Sequence, residues 1–81
     1  MKVQVQMFAR ARDLAGGEVV ELSLSEGATV GVLRRNLAAE VPALGPILPH
    51  CMFAIDTEYA GDETPVAAGA KVACIPPVSG G

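Results

Sequence analysis

The residues whose types and spacing could support chemistry stand at the carboxyl end of the chain, in Pro76-Pro77-Val78-Ser79-Gly80-Gly81. Proline has no backbone N–H, so Pro76 and Pro77 cannot pair inside a sheet, and the chain must leave the preceding strand along a stiff, polyproline-like segment. Glycine has no Cβ, so the last two residues reach backbone conformations that are closed to other residues. The arm spans at most roughly 20 Å when extended.

The charge and shape of this arm suggest what it does. No side chain from Val72 to Gly81 is charged, so the terminal carboxylate is the only charge on the arm. A narrow, uncharged arm with one carboxylate at its tip suits insertion into a pocket of another protein. The alternative, a frayed terminus or an expression scar, fits less well because a strand of buried type runs into the arm without a linker.

The composition limits the classes of function that are open to the chain. With 81 residues, half of them apolar, the chain predicts one small domain with an aliphatic core. A net charge of −3, without a basic stripe or stacking aromatics, argues against nucleic-acid binding. No apolar run approaches the ~20 residues of a membrane span, and the first residues lack a signal-peptide pattern, so we expect a cytoplasmic protein that binds no membrane.

The residues that most often hold metals or act as nucleophiles form no recognisable set. Cys51 and Cys74 make no C-x-x-C pair, and we expect buried free thiols rather than a disulfide. His50 is the only histidine, and no second histidine, Asp-x-Asp or cysteine pair stands near it in sequence. The sequence therefore predicts no metal site and no catalytic triad, with His50 on the surface.

Hydrophobic periodicity predicts the secondary structure. Alternating residues predict an antiparallel pair of strands over 2–8 and 19–24, joined by a short helical turn that Gly16-Gly17 closes. Thr29 is placed to cap the one long helix, which stops at Pro42. Further strands are predicted over 51–55, 59–60 and 72–75, after a proline-rich loop over 42–50 that has room for a 3₁₀ turn.

Two details of side-chain placement follow from the same patterns. Arg34 and Arg35 are predicted on the solvated outer face of the helix, without a catalytic role. Val66 and Ala67 are predicted to fill the core after the loop over 61–65.

The strands and the helix together favour one fold. Since neither the first nor the last strand carries acidic or proline protection against edge pairing, we place them side by side, parallel, at the centre of the sheet. A helix across one face then gives an α+β, β-grasp (ubiquitin-like) roll: one domain over 1–81 with a mixed sheet of four or five strands and 76–81 as a projecting tail. The opposite face is expected to be open and to carry Phe8, Ala73 and Ile75, an apolar surface typical of an interface.

Phe8 leaves two interpretations open, because a large aromatic residue falls on the otherwise polar face of the first strand. It either folds back over the edge of the core or contacts a partner.

Three stretches carry a resemblance to a known family. They are Val5-Gln6-Met7-Phe8-Ala9-Arg10-Ala11-Arg12-Asp13-Leu14, then Thr29-Val30 with Leu33-Arg34 and Leu37, and Val72-Ala73-Cys74-Ile75-Pro76-Pro77-Val78-Ser79-Gly80-Gly81. In these the chain resembles the MoaD/ThiS family of ubiquitin-like sulfur carriers, and its Pro-Pro-Val-Ser-Gly-Gly ending resembles the small subunit of molybdopterin synthase more than the thiamine-pathway carrier. The chain departs from the family pattern at positions that bear on charge-guided docking, namely Asp56, Ala68, Ala70, Lys71, Cys74 and Ile75.

The resemblance implies a chemical role for the arm. A separate ubiquitin-activating-like enzyme would adenylate Gly81, next to Gly80, with ATP that is used in trans, and a sulfur donor protein would convert it to a thiocarboxylate. The arm would then enter the large catalytic subunit of molybdopterin synthase and pass its sulfur to cyclic pyranopterin monophosphate, building the dithiolene of molybdopterin. This chain alone would bind no cofactor or metal and catalyse nothing. Its partner-binding residues would be Phe8, Ala73, Ile75, Pro76, Pro77, Val78 and Ser79.

Three other functions share parts of this pattern. A thiocarboxylate carrier for another acceptor, such as thiamine thiazole, tRNA or a cysteine precursor, would differ only in the ending. A ubiquitin-like tag would be joined to lysines of target proteins. A plain β-grasp interaction module would leave the arm without a role.

Overall fold

The structure, a computed structural model of the chain, describes residues 1–77. Within these residues, five strands, two α-helices and two 3₁₀ helices follow one another. In order they are β1 (Lys2–Met7), α1 (Ala9–Ala15), β2 (Val19–Ser23), α2 (Val30–Glu40), the 3₁₀ helices Pro42–Leu44 and Leu48–His50, β3 (Met52–Ile55), β4 (Glu58–Ala60) and β5 (Lys71–Ile75). Among the described residues, no helix has the length and apolar character that crossing a membrane requires.

The strands form one mixed sheet in the order β2-β1-β5-β3-β4. The predicted parallel pairing of the first and last strands is confirmed, with Val5 beside Val72 and Met7 beside Cys74. The pairs β1–β2, β3–β4 and β3–β5 are antiparallel. Together with α2, this arrangement confirms the predicted β-grasp fold.

One face of the sheet is buried and the other is open. On β1 the residues Val3, Val5 and Met7 are buried, while Lys2, Gln4 and Gln6 between them are exposed, as the alternation predicts. Each of these buried side chains stabilises the fold by about 1.5–3 kcal/mol. The hydrophobic core therefore packs against one face of the sheet, and no core packs against the opposite face in the described residues.

Helix α2 covers the buried face because its sequence carries the required stripe and cap. The Thr29 Oγ1 accepts a hydrogen bond from the Val32 N–H at 3.3 Å, which satisfies one of the free donors of the first turn. Val30, Leu33 and Leu37 are buried at helical spacing. The prolines after α2 end it, and the predicted loop contains two 3₁₀ turns rather than one.

A two-residue turn joins β3 to β4 and fixes the outer part of the sheet. Asp56 and Thr57 have φ of 48° and 74°, as a primed hairpin turn requires. The Asp56 carboxylate accepts a hydrogen bond from the Lys71 N–H at 3.0 Å, and the Asp56 N–H donates to the Lys71 carbonyl at 2.9 Å. This turn therefore ties the β3–β4 hairpin to the start of β5.

Three predictions of local placement are wrong in detail. Ala67 is exposed and only Val66 enters the core, because the chain turns away toward Gly69 directly after it. Cys51 ends a 3₁₀ helix and precedes β3 instead of beginning the strand. Arg34 is not part of a solvated face, since its side chain is only 22% exposed, whereas Arg35 is exposed as predicted.

Candidate functional site at the root of the carboxyl-terminal arm

The root of the arm is the point at which β5 gives way to the prolines. The ladder ends at Ile75, Pro76 is buried against the domain, and Pro77 is exposed. The missing N–H of each proline explains why the pairing stops here. The predicted site residues Val78, Ser79, Gly80 and Gly81 lie outside the described residues.

An apolar surface lies on the open face beside this root. We call it the apolar patch and define it by Phe8, Met52, Ala54, Tyr59, Ala73 and Ile75. In the register of the strands, Met52 faces Ile75 and Ala54 faces Ala73, so these four side chains share one face of β3 and β5. Tyr59 of β4 lies opposite Ala54, which extends the patch to the edge of the sheet.

Phe8 joins the patch from the other side of β5. It follows β1 directly, one residue beyond the pair formed by Met7 and Cys74, and its N–H donates to the Cys74 carbonyl at 3.3 Å. Its side chain is 41% exposed and does not belong to the core cluster. This exposure favours the second interpretation, contact with a partner, and the register places Phe8 at the root of the arm.

Exposed apolar residues of this kind are typical of interaction surfaces. Met52 is 52% exposed and Tyr59 is 69% exposed, although both are large and largely apolar. Tyr, Phe and Met are enriched at protein interfaces, and contiguous apolar surface on a small domain commonly has a binding role. The structure thus brings the predicted residues Phe8, Ala73 and Ile75 together at one place.

Met52, Ala54 and Tyr59 were not among the predicted site residues. The signal for them was that successive side chains of a strand point to opposite faces, so that Met52 and Ala54 face the open side if Phe53 faces the core. Met52 is exposed there, whereas the small Ala54 side chain is buried. The two-residue turn at 56–57 then places Tyr59 opposite Ala54. Because all residues of 51–55 are apolar, their composition alone does not show which of them face the core and which face the open side.

The remainder of the open face is mostly polar, with the exposed Val19 opposite Gln6 as an exception. Lys2, Gln4, Glu21 and Lys71 are exposed on it, and Lys2 Nζ lies 3.4 Å from the Glu21 carboxylate. Such an exposed pair contributes little to stability because solvent and salt screen it. The open face is thus divided into a polar half, near the start of β5, and the apolar half at the root of the arm.

Beneath the patch, on the core face of the sheet, lie the two cysteines. Both are free and buried, as predicted. Burial raises the pKa of the Cys74 thiol to about 12, and the nearby Cys51 sulfur adds to the shift. Burial also raises the pKa of Cys51, partly offset by its hydrogen bond with Cys74 and by the Arg34 guanidinium. Both groups are therefore neutral thiols at physiological pH and poor nucleophiles.

Arg34 fixes the segment in front of β3. Its Nη1 donates to the carbonyl of Leu48 and, at 2.9 Å, to that of Cys51. Its Nη2 donates to the Asp62 carboxylate at 2.8 Å, and the guanidinium carbon lies 4.9 Å from the centroid of the Phe53 ring. Arg34 therefore connects α2 to the strand that carries Met52, and it supports one side of the patch from below.

The described residues offer no clustered metal ligands. Within residues 1–77, His, Cys, Asp and Glu form no group of three that could hold an ion. His50 is exposed, as predicted.

The mixed five-stranded sheet with one main helix across a single face defines a ubiquitin-like β-grasp protein. Residues 5–81 match the model of the ThiS family, and the chain belongs to this family of sulfur carriers. It is 36% identical, over the whole of both chains, to the molybdopterin synthase sulfur carrier subunit of Chlamydomonas reinhardtii.

Solved structures resemble the fold over nearly its full length. The small archaeal modifier protein SAMP1 of Haloferax volcanii matches with a TM-score of 0.88 and 29% identity, over the whole of both chains. A putative molybdopterin converting factor subunit 1 of Pyrococcus furiosus matches with a TM-score of 0.86 and 28% identity, over 96% of this chain and 99% of that one.

Proposed function

We propose that this chain is the sulfur-carrier subunit of a molybdopterin synthase. Gly81 is adenylated and converted to a thiocarboxylate, and its sulfur is donated to cyclic pyranopterin monophosphate to form the dithiolene of molybdopterin. The observation that carries the proposal is the apolar patch beside Pro76 and Pro77, in a chain whose relative in Chlamydomonas reinhardtii is described as such a subunit.

The activation step is needed because a carboxylate lacks a good leaving group. Adenylation by an activating enzyme, with ATP, gives a mixed anhydride at Gly81, and a persulfide sulfur from a donor protein then displaces AMP. The resulting thiocarboxylate is largely anionic at neutral pH and nucleophilic, in the way that thiolates are. Glycine suits this position because no side chain shields either face of the carbonyl.

The buried thiols leave this chemistry undisturbed. An activated carboxyl group reacts readily with thiolates, so an exposed, ionised cysteine near the arm would compete with the persulfide. Cys51 and Cys74 are buried, and their raised pKa values keep them protonated. Free thiols in both positions also agree with a reducing compartment such as the cytoplasm.

The apolar patch gives the large catalytic subunit a surface on which to dock. Burial of Phe8, Met52 and Tyr59 in the complex would anchor the domain while the arm enters the active site. The groups that act on the pyranopterin substrate belong to the large subunit, and this chain alone is not a catalyst.

Intact mass spectrometry tests the first half of the proposal. The chain is incubated with ATP, an adenylating enzyme of the family and a sulfur donor, and a variant lacking Gly81 serves as the control. We expect the mass to rise by the exchange of one oxygen for sulfur, located at Gly81 by fragmentation, and no change in the truncated variant. An unmodified Gly81 under conditions that thiocarboxylate a known carrier would refute it.

The similarity to SAMP1 favours one second candidate, a modifier joined through Gly81 to lysines of other proteins. The two functions predict different products in cells. Isopeptide-linked adducts that end in the Gly80-Gly81 remnant would support the modifier, whereas free chain that carries a thiocarboxylate would support the carrier.

A further inference from the structure

The two thiols lie on the same side of the sheet, at diagonal positions. Cys74 of β5 faces Phe53 of β3, and Cys51 stands two residues before Phe53, directly in front of β3, so both cysteines face the core. Each thiol contributes to the pKa shift of the other, which agrees with this proximity. Neither the proposed sulfur transfer nor any catalytic step uses this pair.

We propose that Cys51 and Cys74 are an oxidative modification site, at which a low-molecular-weight disulfide such as oxidised glutathione converts the two thiols to an intramolecular disulfide. The bond would tie the end of β5, two residues before Pro76, to the segment in front of β3. Because the bond would form at the root of the arm, it would affect the docking of the domain to the large subunit.

The reaction is a pair of thiol–disulfide exchanges. When the 3₁₀ turn before β3 opens, the Cys51 thiol reaches solvent and loses its proton. The thiolate then attacks oxidised glutathione, forming a mixed disulfide and releasing one glutathione thiolate, which takes up a proton. The Cys74 thiolate then attacks the Cys51 sulfur and releases the second glutathione. The two protein thiols lose two electrons and two protons, and the oxidant is reduced to two glutathione thiols.

Cys51 is the first nucleophile because its surroundings open more easily. It is 4% exposed against 0% for Cys74, and it lies outside the ladder of β3. Its N–H donates to the Leu48 carbonyl in a single 3₁₀ turn, and its carbonyl accepts from Arg34. Opening of this short turn exposes the thiol without separating any strands.

The disulfide would alter the apolar patch. Residues 52 and 75 form a facing pair within the patch, and each adjoins one of the cysteines in the chain. Drawing Cys51 and Cys74 into the fixed geometry of a disulfide shifts both backbones. On the basis of the proposed function, we expect oxidation to lower the affinity for the large subunit about tenfold, and a thiol reductant to restore it.

The modification is tested on the full chain in its native state. Reduced protein is incubated with oxidised glutathione at neutral pH and followed by intact mass and by peptide mapping without reductant. We expect loss of two hydrogen atoms in a monomer, a Cys51–Cys74 linked peptide, and reversal by dithiothreitol. Three results would overturn the proposal. The chain could stop at the glutathione adduct, it could form intermolecular dimers, or it could keep both thiols free under conditions that oxidise the urea-unfolded chain.

Single cysteine variants separate this proposal from the proposed function. Cys51→Ala and Cys74→Ala should each fail to form the intramolecular bond, and Cys51→Ala alone suffices if the other variant does not fold. Treated Cys51→Ala should keep its affinity for the large subunit, and an equal loss in this variant would overturn the docking consequence. Reduced chain that does not bind the large subunit would instead count against the proposed function, while the mass result would stand.

Discussion

Replacement of Arg34 by alanine should destabilise the domain far more than its position on the outer part of a helix suggests. Its guanidinium donates to the carbonyls of Leu48 and Cys51, pairs with Asp62, and lies 4.9 Å from the centre of the Phe53 ring. The side chain is 22% exposed. The substitution removes all of these contacts together. The Cys51 carbonyl loses the Arg34 donor, whereas the Leu48 carbonyl still accepts from the Cys51 N–H.

The size of the effect can be worked out contact by contact. A hydrogen bond from a charged donor contributes about 1.5–3 kcal/mol, and two such bonds are lost. Water that reaches the Cys51 carbonyl and the bond that the Leu48 carbonyl keeps with the Cys51 N–H offset part of this loss. The contact with the Phe53 ring adds about 0.5–1 kcal/mol. The Asp62 side chain is 60% exposed, so its ion pair adds at most about 1 kcal/mol. Arg34→Ala should therefore cost about 3–4 kcal/mol of unfolding free energy.

Urea denaturation at 25 °C, monitored by circular dichroism, measures this cost against two matched variants. Arg35→Ala, on the exposed neighbour, should change the unfolding free energy by less than about 0.5 kcal/mol. Asp62→Ala should cost less than about 1 kcal/mol, because it removes only the exposed ion pair. A cost below about 1 kcal/mol for Arg34→Ala, or an equal cost for Asp62→Ala, would show that the hydrogen bonds to the carbonyls do not stabilise the fold.

Three further predictions concern docking, pH and helix capping. Tyr59→Ala should weaken binding to the large subunit by about tenfold or more, measured by titration calorimetry. The melting temperature should stay nearly unchanged, because the Tyr59 side chain is 69% exposed. An affinity equal to that of the wild type would show that Tyr59 is not part of the interface. Because burial raises the pKa of Cys74 from 9.0 to about 12, the contribution of Cys74 to stability should be constant below pH 9 and fall between pH 9 and 12, by at most about 1.4 kcal/mol per pH unit. Cys74→Ala should remove this part of the slope, and an unchanged slope would contradict the assignment. Thr29→Ala should lower the unfolding free energy, measured by urea denaturation, by about 1 kcal/mol. Thr29→Ser should lower it much less, because serine keeps the hydroxyl that accepts the Val32 N–H. Equal losses in the two variants would exclude capping as the cause.

The fold could be predicted from the sequence because its local signals agree with one another. The same roll is indicated by several signals: the alternation in β1 and β2, the Thr29 cap and the Pro42 stop of α2, and the proline pair after β5. The parallel pairing of β1 with β5 followed from their apolar character, which only an interior position satisfies.

The parts that could not be predicted depend on contacts distant in sequence. Helical spacing places Arg34 outside the apolar stripe, but its long side chain reaches carbonyls 14 and 17 residues away. Hydrophobic periodicity predicts the direction in which a side chain leaves the helix, but it does not predict which groups the end of a long, flexible side chain contacts. Tyr59 likewise became part of the patch through its pairing with Ala54, which the turn geometry fixes.

A single-turnover sulfur transfer tests the central claim most directly. Chain carrying the thiocarboxylate at Gly81 is mixed with the large subunit and cyclic pyranopterin monophosphate, and both the intact mass of the chain and the pterin product are followed. The account predicts that the thiocarboxylate returns to a carboxylate as the dithiolene appears. Retention of the sulfur with this acceptor, together with its transfer to a thiazole precursor or tRNA, would contradict it.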